Sequence, residues 1–247
     1  MGKLNTIVSL LTDFKAIRSI LTWSMFSVTS YQMISGLVKQ GIAPKTVIDV
    51  GANVGQFSIA SAHLFGELDR VQIHSFEPLP DCLPKLQQNL SKLKNIKIYP
   101  IALGDRTGEV RFNINSHRHS SSILALAPAH HQAFPDALET DSIDVPLSTL
   151  DLVFADIQLD SPTLLKIDVQ GYEANVLRGA AQTLKRIDMV ILEASFKQMY
   201  DGELLFPDLL QFMTERGFQF SRPVGWLTDP NTDEILQMDA LFTRIHQ

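Results

Sequence analysis

The sequence of 247 residues holds one cysteine, no excess of positive charge and no run of apolar residues clean enough for a bilayer. A lone Cys82 excludes an intrachain disulfide and a thiolate metal cage, and it fits a reducing, cytoplasmic setting. No activating neighbour accompanies it in sequence, so it reads as a packing residue rather than a nucleophile. Lysine and arginine number 21 against 27 aspartates and glutamates, a formal net charge of −6. That balance offers no general attraction to phosphate backbones or anionic lipid, and nucleic acid is not expected as a partner.

Residues 19–38 carry no charge, but Ser19, Thr22, Ser24, Ser27, Thr29, Ser30 and Ser35 weaken insertion into hydrocarbon. The stretch also lacks a compact apolar core followed by a small-residue cleavage site, so neither a membrane span nor a signal peptide is expected. It carries two helical faces instead: Ile17, Ile20, Leu21, Val28, Tyr31 and Val38 on one, Trp23, Phe26, Met33 and Leu37 on the other. Residues 1–42 therefore read as a helical extension buried on both sides. A cap over the main domain, a homo-oligomer contact or a membrane-surface contact would each satisfy the pattern.

With 45% hydrophobic residues the remainder, 43–247, can bury its core as one domain. From Pro44 onward apolar strand-like runs alternate with helical periodicity, the signal for an α/β fold with a parallel sheet. The strands are expected at 47–50, 71–76, 96–101, 164–169 and 189–192. Helices follow the first, second and fourth, and another around Leu209 and Met213 ends at Gly217. Two last runs, 219–226 and 236–244, suit an antiparallel hairpin around Asp229-Pro230-Asn231. Between the third and fourth strands a short alternating run, 109–114, leads into a serine- and histidine-rich stretch of little periodicity, so 113–145 reads as an irregular insertion near the substrate.

Two segments carry chemistry. In Asp49-Val50-Gly51-Ala52-Asn53-Val54-Gly55 the glycines let a ligand and the following helix come close to the backbone, and Glu77 ends the next strand where a carboxylate can accept both hydroxyls of a ribose. Asn53 stands where dinucleotide folds want glycine, which disfavours a pyrophosphate on this turn. S-adenosylmethionine is less demanding there: its carboxylate can face the helix N-terminus while Asp49 meets the ammonium group. Nicotinamide dinucleotides also use the carboxylate, so Glu77 alone does not discriminate.

The second segment, Leu165-Lys166-Ile167-Asp168-Val169-Gln170-Gly171-Tyr172-Glu173, puts two charges in an apolar strand, which buried strands rarely tolerate without a function. Strand C-termini face the ligand crevice in open α/β sheets, so Asp168 should point at the reactive end of the cofactor. Glu173 near a helix start reads either as a substrate contact or as a partner of the helix dipole.

These pieces resemble an FkbM-type class I S-adenosylmethionine-dependent methyltransferase. The matching stretches are 49–55 with Ser58, Phe76-Glu77-Pro78, 86–89, Ile101 to Asp105, Thr149 to Asp151, Lys166 to Glu173, Leu177 to Ala180 and Ile191-Leu192-Glu193. Gln170 departs from the glutamate frequent there. The resemblance implies a Rossmann-like, mostly parallel sheet of seven strands with helices on both faces and one antiparallel strand near the C-terminus. It also implies a cofactor over strands one and two, Ala102 and Leu103 near the adenine, and O-methylation of a hydroxyl on a sugar or natural-product small molecule. The candidate cofactor residues are Asp49, Gly51, Asn53, Gly55, Ser58, Glu77, Pro78, Ala102, Leu103 and Asp168.

Methyl transfer is an in-line displacement, so positioning carries much of the catalysis and a base must take the hydroxyl proton. Asp168 is the first candidate, Glu193 the second, and His119 a third from the insertion. His117, His119, Ser121, Ser122, Lys166 and Glu173 are the expected substrate residues. No spacing demands a metal. The competing readings are a methyltransferase-fold binding or scaffold protein without activity and a nucleotide-dependent oxidoreductase.

Overall fold

The computed structural model describes residues 14–65, 70–116 and 118–245. His117 lies outside the described residues. Two helices, α1 (Phe14–Thr22) and α2 (Val28–Val38), precede the sheet. Ser27 caps α2, its hydroxyl accepting from the Ser30 amide. Trp23, in the link between the two helices, stacks on His63 with ring centroids 4.8 Å apart.

The chain then alternates β1 (Thr46–Val50), α3 (Gln56–Leu64), β2 (Gln72–Phe76), α4 (Leu83–Leu90) and β3 (Ile96–Tyr99). After an excursion it resumes with β7 (Thr163–Ile167), α7 (Glu173–Arg178), β8 (Met189–Ser195), α8 (Phe206–Thr214), β9 (Phe218–Thr228) and β10 (Ile235–Arg244). The seven-stranded sheet has the order β3-β2-β1-β7-β8-β10-β9. β10 runs antiparallel to both of its neighbours, so it alone opposes the rest of the sheet. β1 and β7 are buried at every position, as parallel strands covered on both faces must be.

Because side chains alternate along a strand, the pairing register sorts the sheet into two faces. Val47, Ile73, Leu164, Ile191 and Leu241 lie on one, packed against Met33, Ile34 and Leu37 of α2 and Phe57 and Ala60 of α3. Ile48, Val50, Phe76, Ile167, Leu192 and Phe242 lie on the other, packed against α7 and α8. α3 is buried nearly all round, caught between the sheet, α2 and α4, and correspondingly shows no polar stripe. The N-terminal helices are thus a layer of the domain; Phe14 and Leu21 of α1 remain exposed. Among the described residues no helix is long and apolar enough to cross a membrane.

The excursion differs from the expected irregular insertion. β4 (Ala102–Leu103), β5 (Gly108–Asn115) and β6 (Glu139–Ser148) form a second sheet of order β4-β6-β5. β5 and β6 pair antiparallel almost throughout, and Ala102, Val145 and Leu147 seed a small core of their own. The first half of β6 is mostly exposed, so it lacks the alternation that marks a strand. Between β5 and β6 lie a 3₁₀ turn at Arg118–Ser120 and a short helix α5 (Pro128–Ala133); α6 (Leu150–Val153) follows β6. The expected third strand, 96–101, also divides: β3 stops at Tyr99 and the chain turns into β4.

Candidate functional site

A cavity of about 860 Å³ opens at the C-terminal ends of β1, β2, β7 and β8. Its floor begins with the turn from β1 into α3. Gly51, Asn53 and Gly55 all take positive φ there (83°, 48° and 92°), which glycine adopts freely and asparagine tolerates. A Cβ at Gly51 would sit 1.9 Å from the carbonyl oxygen of Asp168, so only glycine lets the turns after β1 and β7 touch. A Cβ at Gly55 would press on Leu86 and Leu90 of α4.

Glu77, just past β2, is almost wholly buried at the cavity wall. Its Oε2 accepts from the Asn53 amide at 2.8 Å and its Oε1 from the Leu79 amide at 2.9 Å. Each oxygen keeps a free lone pair, the requirement for gripping two vicinal hydroxyls. Burial pushes its carboxyl up to about 7, although those two amide bonds oppose the shift.

A row of charges crosses the sheet face that carries α2 and α3. In register lie Asp49 of β1 and Lys166 of β7, and further along Glu193 of β8 and Asp239 of β10. Lys166, nearly without solvent contact, lies 2.9 Å from Asp168 Oδ2 and 3.9 Å from Asp49 Oδ1. Burial would discharge the ammonium, but Asp168 and Asp49 hold its pKa above the ordinary lysine value. Asp168 is held below the usual carboxylate range: burial acts to raise it, and Lys166 and the amide of Gln170 outweigh that. Asp49 is raised, chiefly by its complete burial; Ser58 donates to its Oδ2 at 2.6 Å, while Oδ1 has no hydrogen-bond donor.

Gln170, at φ 57°, ties the row to the rest of the site. Its Nε2 donates to Asp168 Oδ1 at 2.7 Å and to Glu193 Oε2 at 2.8 Å. Its Oε1 accepts from Tyr200 Oη at 2.6 Å, and its carbonyl accepts from Ser122 Oγ at 2.6 Å. Glu193 is raised well above its ordinary value by burial and then by Asp168 and Glu173. An amide at 170 supplies donors where a carboxylate would repel two others. Gln170→Glu is therefore expected to lose about 2 kcal/mol of stability near pH 8 and less near pH 5, as urea titration at the two pH values would register. An equal loss at both would mean that charge is not the cause.

Most of the expected site residues meet at this cavity. Gly51, Asn53, Glu77, Pro78, Ala102 and Leu103 line one end; Lys166, Asp168, Glu193, His119 and Ser121 line the middle. His119 Nδ1 lies 3.0 Å from Asn53 Nδ2, over the glycine turn. Four others stand behind the lining: Asp49, Ser58, Gly55 and Ser122 support residues that reach it. Glu173, expected as a substrate contact, faces away from the cavity. Its Oε1 accepts from the Val169 and Gly171 amides at 2.9 and 3.3 Å and so fixes the turn after β7. His117 lies outside the described residues. Sequence patterns did not point to Asp239 and Gln237 of β10, Leu227 of β9, or Ser27, Thr29 and Ser30 at the start of α2, which also line the cavity. Among the described residues no group of His, Cys, Asp and Glu is arranged to hold a metal.

The donor set fits S-adenosylmethionine in three respects. Glu77 offers paired acceptors for a ribose, Ile101, Ala102 and Leu103 offer an apolar wall for a flat base, and Gly51 leaves the turn after β1 without a side chain at the cavity; Asp49, expected to meet the ammonium group, is wholly buried behind that turn and does not line the cavity.

The methyltransferase FkbM domain model matches residues 49–220. The chain is 27% identical over 187 residues to the 2-O-methyltransferase NoeI of Sinorhizobium fredii, covering 72% of this chain and 75% of that protein. It is 24% identical over 147 residues to the hexuronic acid methyltransferase AglP of Haloferax volcanii, covering 59% of this chain and 54% of that one. The crystal structure of methyltransferase FkbM from Methylobacillus flagellatus KT aligns at 16% identity and a TM-score of 0.48, over 81% of this chain and 43% of its own. With well over half its length matched by that domain, from the buried aspartate of β1 through the charged end of β7 to α8 and the start of β9, this chain belongs to the FkbM methyltransferase family.

Proposed function

We propose that the protein transfers a methyl group from S-adenosylmethionine to a hydroxyl of a saccharide or related natural product. The observation that carries this reading is Glu77, a buried carboxylate with two lone pairs open to the cavity, beside a glycine turn whose Asn53 suits a donor without pyrophosphate. The names of NoeI and AglP, a 2-O-methyltransferase and a hexuronic acid methyltransferase, support a hydroxyl of a sugar as the acceptor class.

When bound, S-adenosylmethionine supplies a methyl group already activated on a sulfonium. The chain's own residues hold and orient. Glu77 binds the ribose diol, Ala102 and Leu103 back the base, and the Lys166–Asp168–Gln170 network fixes the negative charge of Asp168 at the end of β7, where it attracts a cation. Both Asp168 oxygens already accept hydrogen bonds, which suits positioning better than proton abstraction.

Calorimetry with S-adenosylmethionine and with NAD tests the donor, and transfer of a labelled methyl to a panel of methyl glycosides and glucuronides tests the acceptor. Binding of NAD in preference to S-adenosylmethionine would sink the reading. Glu77→Ala is expected to weaken donor binding by about 1–3 kcal/mol. Because the ribose needs the ionised carboxylate, the affinity of the wild-type chain should climb as pH rises towards about 7 and level off above it. Glu77→Gln should flatten that climb; a slope unchanged in the variant would assign the titration to another group.

A further inference from the structure

We propose that Asp239 of β10 is the catalytic base, taking the proton of the acceptor hydroxyl within this cavity. This rests on the methyl-transfer reading above.

Four observations converge on it. Asp239 lines the cavity and is paired in register with Glu193, which brings two carboxyl groups together on one face of adjacent strands. Among the described residues it receives no hydrogen bond and no ion pair, whereas Asp168 has both oxygens engaged and Glu193 accepts from Gln170. Its carboxylate occupies room left by Gly225 on β9, where a Cβ would stand 2.3 Å from Asp239 Oδ2. The same cavity is lined by Ser27, Thr29 and Ser30 at the start of α2, whose hydroxyls suit a polyhydroxylated acceptor.

The charged groups facing Asp239 are Glu193 from β8 and Asp168 and Lys166 from β7; β9 presents Gly225, and the α2 lining holds no titratable side chain. Burial and then Asp168 push Asp239 up to about 6, against Lys166. It is therefore ionised at neutral pH and basic enough to accept a proton. Glu193 already accepts from Gln170, and His119 sits against Asn53 of the glycine turn.

The step balances. The acceptor O–H bond breaks towards an Asp239 oxygen as the acceptor oxygen bonds to the methyl carbon. The C–S electron pair goes to sulfur, which leaves as a neutral thioether, and the proton passes from Asp239 to water.

Carbon-detected NMR of the labelled full chain reads Asp239 directly, its signal assigned by its loss in Asp239→Asn. The carboxyl should titrate near 6 in the free protein and lower once S-adenosylmethionine is added. A midpoint near the ordinary aspartate value, or one unmoved by the donor, overturns the proposal. In kinetics with the methyl glycoside and glucuronide panel, Asp239→Asn should cut transfer about 10²–10³-fold, remove the acid limb of the pH–rate profile and leave donor affinity within about threefold. Gly225→Ala, which displaces the carboxylate without removing its charge, should give an intermediate loss at unchanged donor affinity. Transfer by Asp239→Asn within about threefold of wild type, or donor affinity reduced about tenfold or more, also overturns it. Should the wild-type chain bind S-adenosylmethionine yet methylate none of the panel, the acceptor reading fails while the NMR titration still decides Asp239.

Discussion

Lys166→Met is expected to destabilise the fold by about 2–4 kcal/mol near pH 8, because it strands the buried carboxylate of Asp49 and the partly buried one of Asp168, which share one cation. Methionine matches the length of the stem, so packing against Phe57 is largely kept and charge dominates the outcome. The pH dependence carries the sign. In the wild-type chain Asp168 titrates below its unfolded value, so its contribution is present above that value and fades as acid protonates it. Without Lys166, Asp49 and Asp168 would both titrate above their unfolded values, and the variant would lose stability as pH rises from about 4. The gap between variant and wild type should therefore narrow towards pH 5 in urea titrations. A gap of equal size near pH 5 and pH 8 would assign the loss to packing.

Gly51→Ala should be nearly as damaging, at about 3 kcal/mol of stability, and should reduce S-adenosylmethionine affinity about a hundredfold or more. Two costs combine: a positive φ of 83° that alanine resists, and a methyl group driven to 1.9 Å from the Asp168 carbonyl. Gly41 separates them, since it has a similar φ of 77° and open space where the added methyl would stand. Gly41→Ala should cost about 1 kcal/mol, from the dihedral alone. Equal losses at the two positions, measured by thermal and chemical denaturation, would mean that the contact between the β1 and β7 turns does not matter.

The sheet was legible because its strands are short, β-branched and separated by helical periodicity, and because Pro44, Gly51 and Gly217 punctuate them. β6 was not, since Glu139 to Ser142 face water and contribute no apolar alternation. The end of the site nearest β1 and β2 was legible for a related reason: a glycine turn and a strand-end carboxylate leave a local signature. The start of α2 left none of that kind. Ser27, Thr29 and Ser30 lie far from Asp239 in sequence and share a cavity with it only in the folded chain. Yet Asp239 carried the same mark that singled out Asp168, a charge inside an apolar strand, in Leu236-Gln237-Met238-Asp239-Ala240-Leu241. Glu173 shows the converse. Close to two charged site residues in sequence, it turns inward to hold the Val169 and Gly171 amides of the turn that follows them.

The cavity lining also extends beyond the matched domain. The matched domain runs from 49 to 220, whereas Ser27 to Met33, Leu227, Gln237 and Asp239 all lie outside it. The cavity is thus lined by the matched middle of the chain and by both of its flanks, with β10 inserted between β8 and β9. Substitutions in those flanks would therefore reshape part of the cavity wall while leaving the turns that carry Glu77 and Asp168 in place, much as a lock can be re-keyed without replacing its bolt.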